Sequence, residues 1–159
     1  MKKAIFLDRD GVINRERSDY TYRLEDFEIL PDVIETLLYF QQKKYLLIIV
    51  SNQSGIAKNI YTHEDVETLH SYLSKVFEDN HIQMAEIYYC PHHPEKGKCL
   101  CRKPESLLVE KAIARFKINP SLSYFIGDKE RDVQAGEKAG VKGILIEANS
   151  SLKETMQFI

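Results

Sequence analysis

The sequence predicts an α/β fold: an open, doubly wound parallel sheet with helices on both faces. Three observations predict it. Apolar runs of strand length recur along the chain, segments of helical period lie between them, and the runs are nearly continuous in hydrophobicity rather than alternating. Strands covered on both faces of a parallel sheet have this composition. Strand alternating with helix implies βαβ units in an open, doubly wound sheet.

The elements follow in order. A strand spans Ala4 to Leu7, and a loop from Arg9 to Leu30 follows it. Pro31 can open a helix at its first turn, with Ile34, Leu37 and Leu38 on one face. Tyr45 to Val50 is the second strand. Thr62, with Asp65 three residues on, is an N-cap for a helix that carries Val66, Leu69, Leu73, Val76 and Phe77. Ile87 to Tyr89 is the third strand, followed by a second long loop from Cys90 to Pro104. A helix fits Glu105 to Phe116, a strand Tyr124 to Ile126, and a helix Arg131 to Ala139 that ends at Gly140. The last strand is Gly143 to Ile146. The tail from Ser150 to Ile159 suits a short helix or a frayed end. Nothing in the 159 residues suggests a repeat or a flexible linker, so one domain over 1–159 is expected.

Composition narrows the function classes. A hydrophobic fraction of 43% and a charged fraction of 29% are those of a globular protein. A net charge of -2 offers no footprint for nucleic acid or an anionic membrane, so any bound anion must be held by local charge. The apolar run behind Lys2 and Lys3 stops at Asp8, too early for a secretory leader, and no stretch is long enough to span a membrane. A cytoplasmic location is expected. The odd number of cysteines, all within residues 90–101, suggests metal rather than disulfides.

Ligands of open α/β sheets bind beyond the carboxyl ends of the strands. The strand exits here carry Asp8-Arg9-Asp10-Gly11-Val12, Ser51-Asn52-Gln53, Cys90-Pro91-His92 and Gly127-Asp128, with Asp132 four residues further on. Several carboxylates at one rim repel one another unless a cation lies among them, and Mg2+ is the natural occupant. One carboxylate can then attack phosphorus, and a second can donate a proton to the leaving oxygen. Gly11 fits a tight turn near the phosphate. Ser51 and Asn52 supply a hydroxyl and an amide, Lys103 a point charge, and Arg102 a fork for a second anion or a sugar oxygen. Taken singly, each feature has a plain alternative as turn, cap or solvated surface; their order at successive strand exits favours the functional reading.

The blocks Asp8-x-Asp10-Gly11-Val12, Ser51-Asn52-Gln53, Lys103-Pro104 and Gly127-Asp128-x-x-x-Asp132 resemble the four motifs of the haloacid dehalogenase superfamily of phosphatases. The resemblance covers nearly the whole chain. It implies a Rossmann-like core, Asp8 as nucleophile and Asp10 as acid/base. It also implies magnesium held by Asp8, the Asp10 backbone carbonyl and Asp128, with Asp132 in support. Ser51 and Lys103 would stabilise the transferred phosphoryl group.

Cys90-x-His92 and Cys99-x-Cys101 offer four ligands for a closed, structural zinc site. Spacing alone does not choose between His92 and His93. Such a site would close the loop 90–104 and fix Arg102 and Lys103 without a separate cap domain. The run from Tyr88 through Pro104, joined to Ser51 through Ala57, is similar to the heptose bisphosphate phosphatase and histidinol-phosphate phosphatase family. That similarity implies His92 as the zinc ligand and Arg102 and Lys129 as substrate contacts, with Glu16 to Asp19 bordering the substrate. The chain departs from the family in a short zinc loop, in Glu105-Ser106-Leu107 and in Lys58-Asn59, all on the leaving-group side. The expected substrate is a heptose bisphosphate. A distal phosphate would favour Arg102, Lys129 and Lys58 as contacts, whereas histidinol phosphate would want an acidic neighbour such as Glu16 or Asp19. A zinc-containing binding protein without catalysis is the alternative of another class, and the intact Asp8, Asp10, Lys103 and Asp128 count against it. An open site of this kind suits a monomer.

Overall fold

The computed structural model describes residues 1–159. Its five strands are β1 (Lys3–Leu7), β2 (Tyr45–Asn52), β3 (Met84–Cys90), β4 (Tyr124–Gly127) and β5 (Lys142–Leu145). They form one sheet in the order β3-β2-β1-β4-β5, with every pairing parallel. The helices are α1 (Val33–Gln42), α2 (His63–Asp79), α3 (Leu107–Phe116) and α4 (Glu130–Lys138). This is the doubly wound architecture expected from the sequence. No helix is long and apolar enough to cross a membrane.

Side-chain alternation along the strands builds two cores. Ile5, Leu7, Leu47 and Ile49 point to one face, where they pack with Val33, Leu37 and Phe40 of α1 and Leu69, Leu73 and Phe77 of α2. Ala4, Phe6, Ile48 and Val50 point to the other, against Leu108, Val109 and Ala112 of α3 and Phe125 of β4. Each fully buried Leu, Ile or Phe contributes about 1.5–3 kcal/mol, and β1, buried along almost its whole length, sits at the centre of both layers. Asp8 follows directly, so a strand buried on both faces carries it.

Most boundaries agree with the sequence reading, and the differences have local causes. Pro31 does not open α1. Asp32 takes a left-handed backbone (φ 70°) and is the N-cap, so the helix begins at Val33. The expected cap of α2 is present: Asp65 N–H donates to Thr62 Oγ1 and Thr62 N–H to Asp65 Oδ2. α3 starts at Leu107 rather than Glu105, with Ser106 as its cap, and β3 begins three residues early, at Met84. The tail forms 3-10 turns over Leu152–Phe158, with Leu152 and Thr155 buried. The loop 9–30 is ordered by its own backbone. The Arg9 carbonyl accepts from the N–H groups of Val12, Ile13 and Asn14, and Leu30 N–H donates to the Ile13 carbonyl at 2.9 Å.

Candidate active site

The strand order reverses direction between β1 and β4, the place where open α/β sheets leave a crevice. Asp8 and Asp128 stand at the two sides of it. Asp8 Oδ1 accepts from its neighbour's backbone, Arg9 N, at 2.8 Å and from Lys103 Nζ at 2.8 Å. Lys103 comes from the far end of the cysteine loop and is 1% exposed. Its ammonium also donates to the Val50 carbonyl at 2.7 Å and pairs with Asp132 Oδ1 at 2.6 Å. Burial opposes its charge, but Asp8 and Asp132 overcome this and hold its pKa above the ordinary lysine value. Asp132 Oδ2 in turn accepts from Lys129 N, which anchors the first turn of α4.

The carboxylates are crowded. One oxygen each of Asp8, Asp128 and Asp132 lie within 4.8 Å of one another. Burial raises the Asp8 pKa well above the usual carboxylate range; Lys103 offsets only part of this, and Asp132 and Asp128 add to it. Burial likewise raises Asp128, and Asp132 reinforces the effect. Both oxygens of Asp128 are buried without a hydrogen-bond partner. A hard divalent cation among these oxygens would remove the repulsion and satisfy Asp128, so the donor set fits Mg2+. Gly11 is required here: its φ is +90°, and a Cβ would lie 2.4 Å from the Asp128 carboxylate.

Asp10 is in the opposite electrostatic state. Burial alone would raise its pKa, but the Arg9 guanidinium and hydrogen bonds from Asn14, Arg9 and Gln53 outweigh it and hold the carboxyl below its usual range. Arg9 Nη2 and Asn14 Nδ2 each donate to Oδ1 at 2.9 Å, and Gln53 Nε2 donates to Oδ2 at 3.1 Å. Arg9 is 1% exposed and also reaches the Thr21 carbonyl and His70 Nε2.

At the exit of β2, Ser51 is buried and its Oγ accepts from Gln53 Nε2 at 2.8 Å. Asn52 grips the Lys103 backbone from both sides. Its Nδ2 donates to the Lys103 carbonyl at 3.2 Å, and its Oδ1 accepts from Lys103 N at 3.1 Å. The Asn52 side chain therefore fixes the segment that delivers the ammonium.

A cavity of about 400 Å³ opens over Asp8 and Asp10. Its wall brings together Glu16, Asp19, Asn52, Arg102 and Lys129, all expected from the sequence. Ser51, Lys103 and Asp128 lie outside the lining. Lys58 lies outside it as well and pairs with Glu95 at 3.9 Å. Arg131, Gln53 and His93 also line the wall, and Arg9 lies behind it; the sequence reading gave no role to Arg131, Gln53 or Arg9 and weighed His93 only as a zinc ligand. Arg131 stands one residue before Asp132 in α4, which is the signal that could have found it. Burial, with the nearby Arg131, lowers the Arg102 pKa.

Cys90 Sγ, His92 Nδ1, Cys99 Sγ and Cys101 Sγ converge within 4.8 Å of one another. The Cys90–Cys99, Cys90–His92, His92–Cys101 and Cys90–Cys101 separations are 3.7, 3.3, 3.2 and 3.0 Å. Edges of a tetrahedron around zinc would be about 3.7 Å for a Zn–S bond of about 2.3 Å, so the set can close on that ion with slight expansion. His93 turns away, and its Nδ1 accepts from Glu95 N. Arg102, next to Cys101, donates to the His92 carbonyl at 3.3 Å, which ties the cationic end of the loop to the cluster.

A family model described as HAD-hydrolase-like matches residues 100–158. The chain is 41% identical over 147 residues to the D-glycero-beta-D-manno-heptose-1,7-bisphosphate 7-phosphatase of Haemophilus ducreyi, covering 89% of this chain and 80% of that protein. It is 43% identical over 152 residues to the D-glycero-alpha-D-manno-heptose-1,7-bisphosphate 7-phosphatase of Campylobacter jejuni subsp. jejuni, covering 96% and 86%. Among solved structures, it superposes on the D,D-heptose 1,7-bisphosphate phosphatase of B. bronchiseptica complexed with magnesium and phosphate. The TM-score is 0.86 at 26% identity, over 98% of this chain and 86% of that one. With its parallel sheet, its carboxylates at the switch point and relatives matched over most of their length, the chain belongs to the D-glycero-D-manno-heptose 1,7-bisphosphate 7-phosphatase family of haloacid dehalogenase-like phosphatases.

Proposed function

We propose that this phosphatase removes the 7-phosphate of D-glycero-D-manno-heptose 1,7-bisphosphate through an aspartyl-phosphate on Asp8. The observation that carries the reading is the buried Asp8–Lys103 contact of 2.8 Å beneath a cavity walled by Arg102, Lys129 and Arg131. Arg9 N and Lys103 both engage Asp8 Oδ1 and so orient its carboxylate. One carboxylate oxygen of Asp8 forms a bond to phosphorus, and the bond from phosphorus to the sugar oxygen breaks. Asp10 gives that oxygen its proton, then takes one from water as the water attacks phosphorus and releases Asp8. Asp10 is ionised at rest; the negative charge of an arriving phosphate opposes that ionisation and loads the proton. Ser51 and Lys103 stabilise the transferred group from behind the cavity.

Asp8, the Asp10 backbone carbonyl and Asp128, with Asp132 behind them, would hold Mg2+, which supplies Lewis-acid charge neutralisation at the phosphoryl oxygens. The magnesium and phosphate of the B. bronchiseptica structure support this assignment. Cys90, His92, Cys99 and Cys101 would hold a structural Zn2+ that clips the loop 90–104 and so orders Arg102 and Lys103 within one domain. An open site completed by a single chain suits a monomer in the cytoplasm, where three free thiols stay reduced.

The cavity favours a bisphosphate over a cationic amino alcohol. Arg102, Lys129 and Arg131 make no ion pair within the chain. Glu16 and Asp19, in contrast, already accept from the N–H groups of Ser18 and Tyr20. Phosphate release should therefore be compared on both heptose bisphosphate anomers, the heptose 7-monophosphate and histidinol phosphate. A charged hydrogen bond to the distal phosphate contributes about 1.5–3 kcal/mol, so kcat/KM for a bisphosphate should exceed the others by roughly ten- to 150-fold. Asp8→Asn should show no turnover. A preference for histidinol phosphate would reject the substrate, and turnover by Asp8→Asn would reject the nucleophile.

A further inference from the structure

Gln53 is 3% exposed and lies where three parts of the site meet. Its Nε2 donates to Asp10 Oδ2 at 3.1 Å and to Ser51 Oγ at 2.8 Å, while its Oε1 accepts from Tyr61 Oη at 2.7 Å. The amide can face only this way. An ionised carboxylate accepts and never donates, so the amide nitrogen must lie toward Asp10 and the carbonyl toward the phenol. Tyr61 is itself immobilised. Its ring stacks on Tyr22 with centroids 5.0 Å apart, and Tyr20 meets it edge-on at 5.8 Å. Gly55 makes this packing possible, because a Cβ there would lie 2.1 Å from the Tyr61 ring.

On the other side of Asp10, Arg9 and Asn14 both occupy Oδ1. A carboxylate has about four acceptor positions, so three are filled and the one left is on Oδ2, beside the Gln53 bond. A buried glutamine with no role in the site could be satisfied by backbone groups. Here both amide hydrogens go to side chains of the phosphoryl site.

We infer that Gln53 is a positioning residue for the proton transfer of Asp10, holding Oδ2 so that its free lone pair faces the leaving oxygen. This rests on the reading of Asp10 as the acid/base. Tyr61 acts one step further back, by fixing the Gln53 amide.

The test uses leaving groups of different need. p-Nitrophenolate departs with little proton assistance, whereas a sugar alkoxide requires it. Wild type, Gln53→Glu and Asp10→Asn are assayed with Mg2+ on p-nitrophenyl phosphate and on heptose 1,7-bisphosphate, and thermal melting is followed for each. Gln53→Glu keeps the shape and the acceptor for Tyr61 but sets a second carboxyl against Asp10 in place of the amide donor, so Gln53→Met, which adds no charge, is assayed beside it. We expect the kcat/KM of both to fall roughly 10²-fold on the sugar phosphate, the low end of acid–base assistance, and less than about threefold on the aryl ester. An equal loss on both esters, or no loss on either, overturns the inference. If Asp10→Asn shows no dependence on the leaving group, the acid/base reading itself falls. If Asp10→Asn shows that dependence and Gln53→Glu does not, only the role of Gln53 falls. Should the Glu variant melt without cooperativity, Gln53→Met carries the same comparison with the same two outcomes.

Discussion

Lys103 is a charge removed from water, which folding tolerates only because Asp8, Asp132 and the Val50 carbonyl surround it. His70 is the neutral counterpart. Burial, with Arg9 alongside, lowers its pKa from 6.5 to about 3, and it accepts from Arg9 as an uncharged ring. An unfolded histidine binds a proton as pH falls through 6.5, while the folded one does not until about 3. The unfolded state binds more protons in that window, so stability present above pH 6.5 is lost as pH falls toward 3. His70→Gln keeps an acceptor for Arg9 and does not titrate. Its unfolding free energy should therefore fall less steeply below pH 6.5, by up to about 1.4 kcal/mol per pH unit, in urea melts across that range. At this scale the sequence was legible where chemistry coincides with a strand exit. Asp8 and Ser51 follow an apolar run directly, and Asp10 and Asp128 stand within three residues of one. Arg9, Asn14 and Arg131 are interleaved with them and have no periodicity of their own. Their roles come from which way a loop turns.

At the scale of elements, the short loop that ends in Lys103 is held twice. Asn52 clamps its backbone, and the Cys90, His92, Cys99 and Cys101 side chains gather its two ends. Burial pushes the Cys90 thiol up, so a metal bound there would have to displace a proton that the site otherwise retains. Cys99→Ser should lower zinc content, read by chelator release, and should reduce kcat on any phosphate ester because Lys103 loses one of its two anchors. Full kcat in a zinc-free Cys99→Ser protein would break the link between the cluster and the reaction. Helices were legible to different degrees for a physical reason. The capping box of α2 is a sequence pattern, Thr62 with Asp65, whereas the left-handed Asp32 before α1 is one of several residues whose backbone reverses without any such mark. α1 was therefore expected two residues early.

For the molecule as a whole, the crowded carboxylates make folding and cation binding a single equilibrium. Asp8 and Asp128 are forced together by the sheet, since β1 and β4 are neighbours, and a cation binding only the folded form would relieve their repulsion. Mg2+ at a hundred times its dissociation constant should stabilise the protein by about 2.7 kcal/mol, visible as a rise in Tm. Asp128→Asn should abolish that rise and melt higher than wild type when Mg2+ is withheld. A Tm indifferent to Mg2+ in wild type would contradict the coupling. The strand order has a further consequence, for the birth of the enzyme. Asp8 and Lys103 are 95 positions apart in the chain, and Asp128 and Asp132 follow later still. The strands β1, β2 and β3 can pair while the polypeptide is still emerging, but one flank of β1 stays bare until β4 arrives to occupy it. On the role proposed for Asp8, synthesis would make the nucleophile early and complete its surroundings late, once β4 has delivered Asp128 beside it.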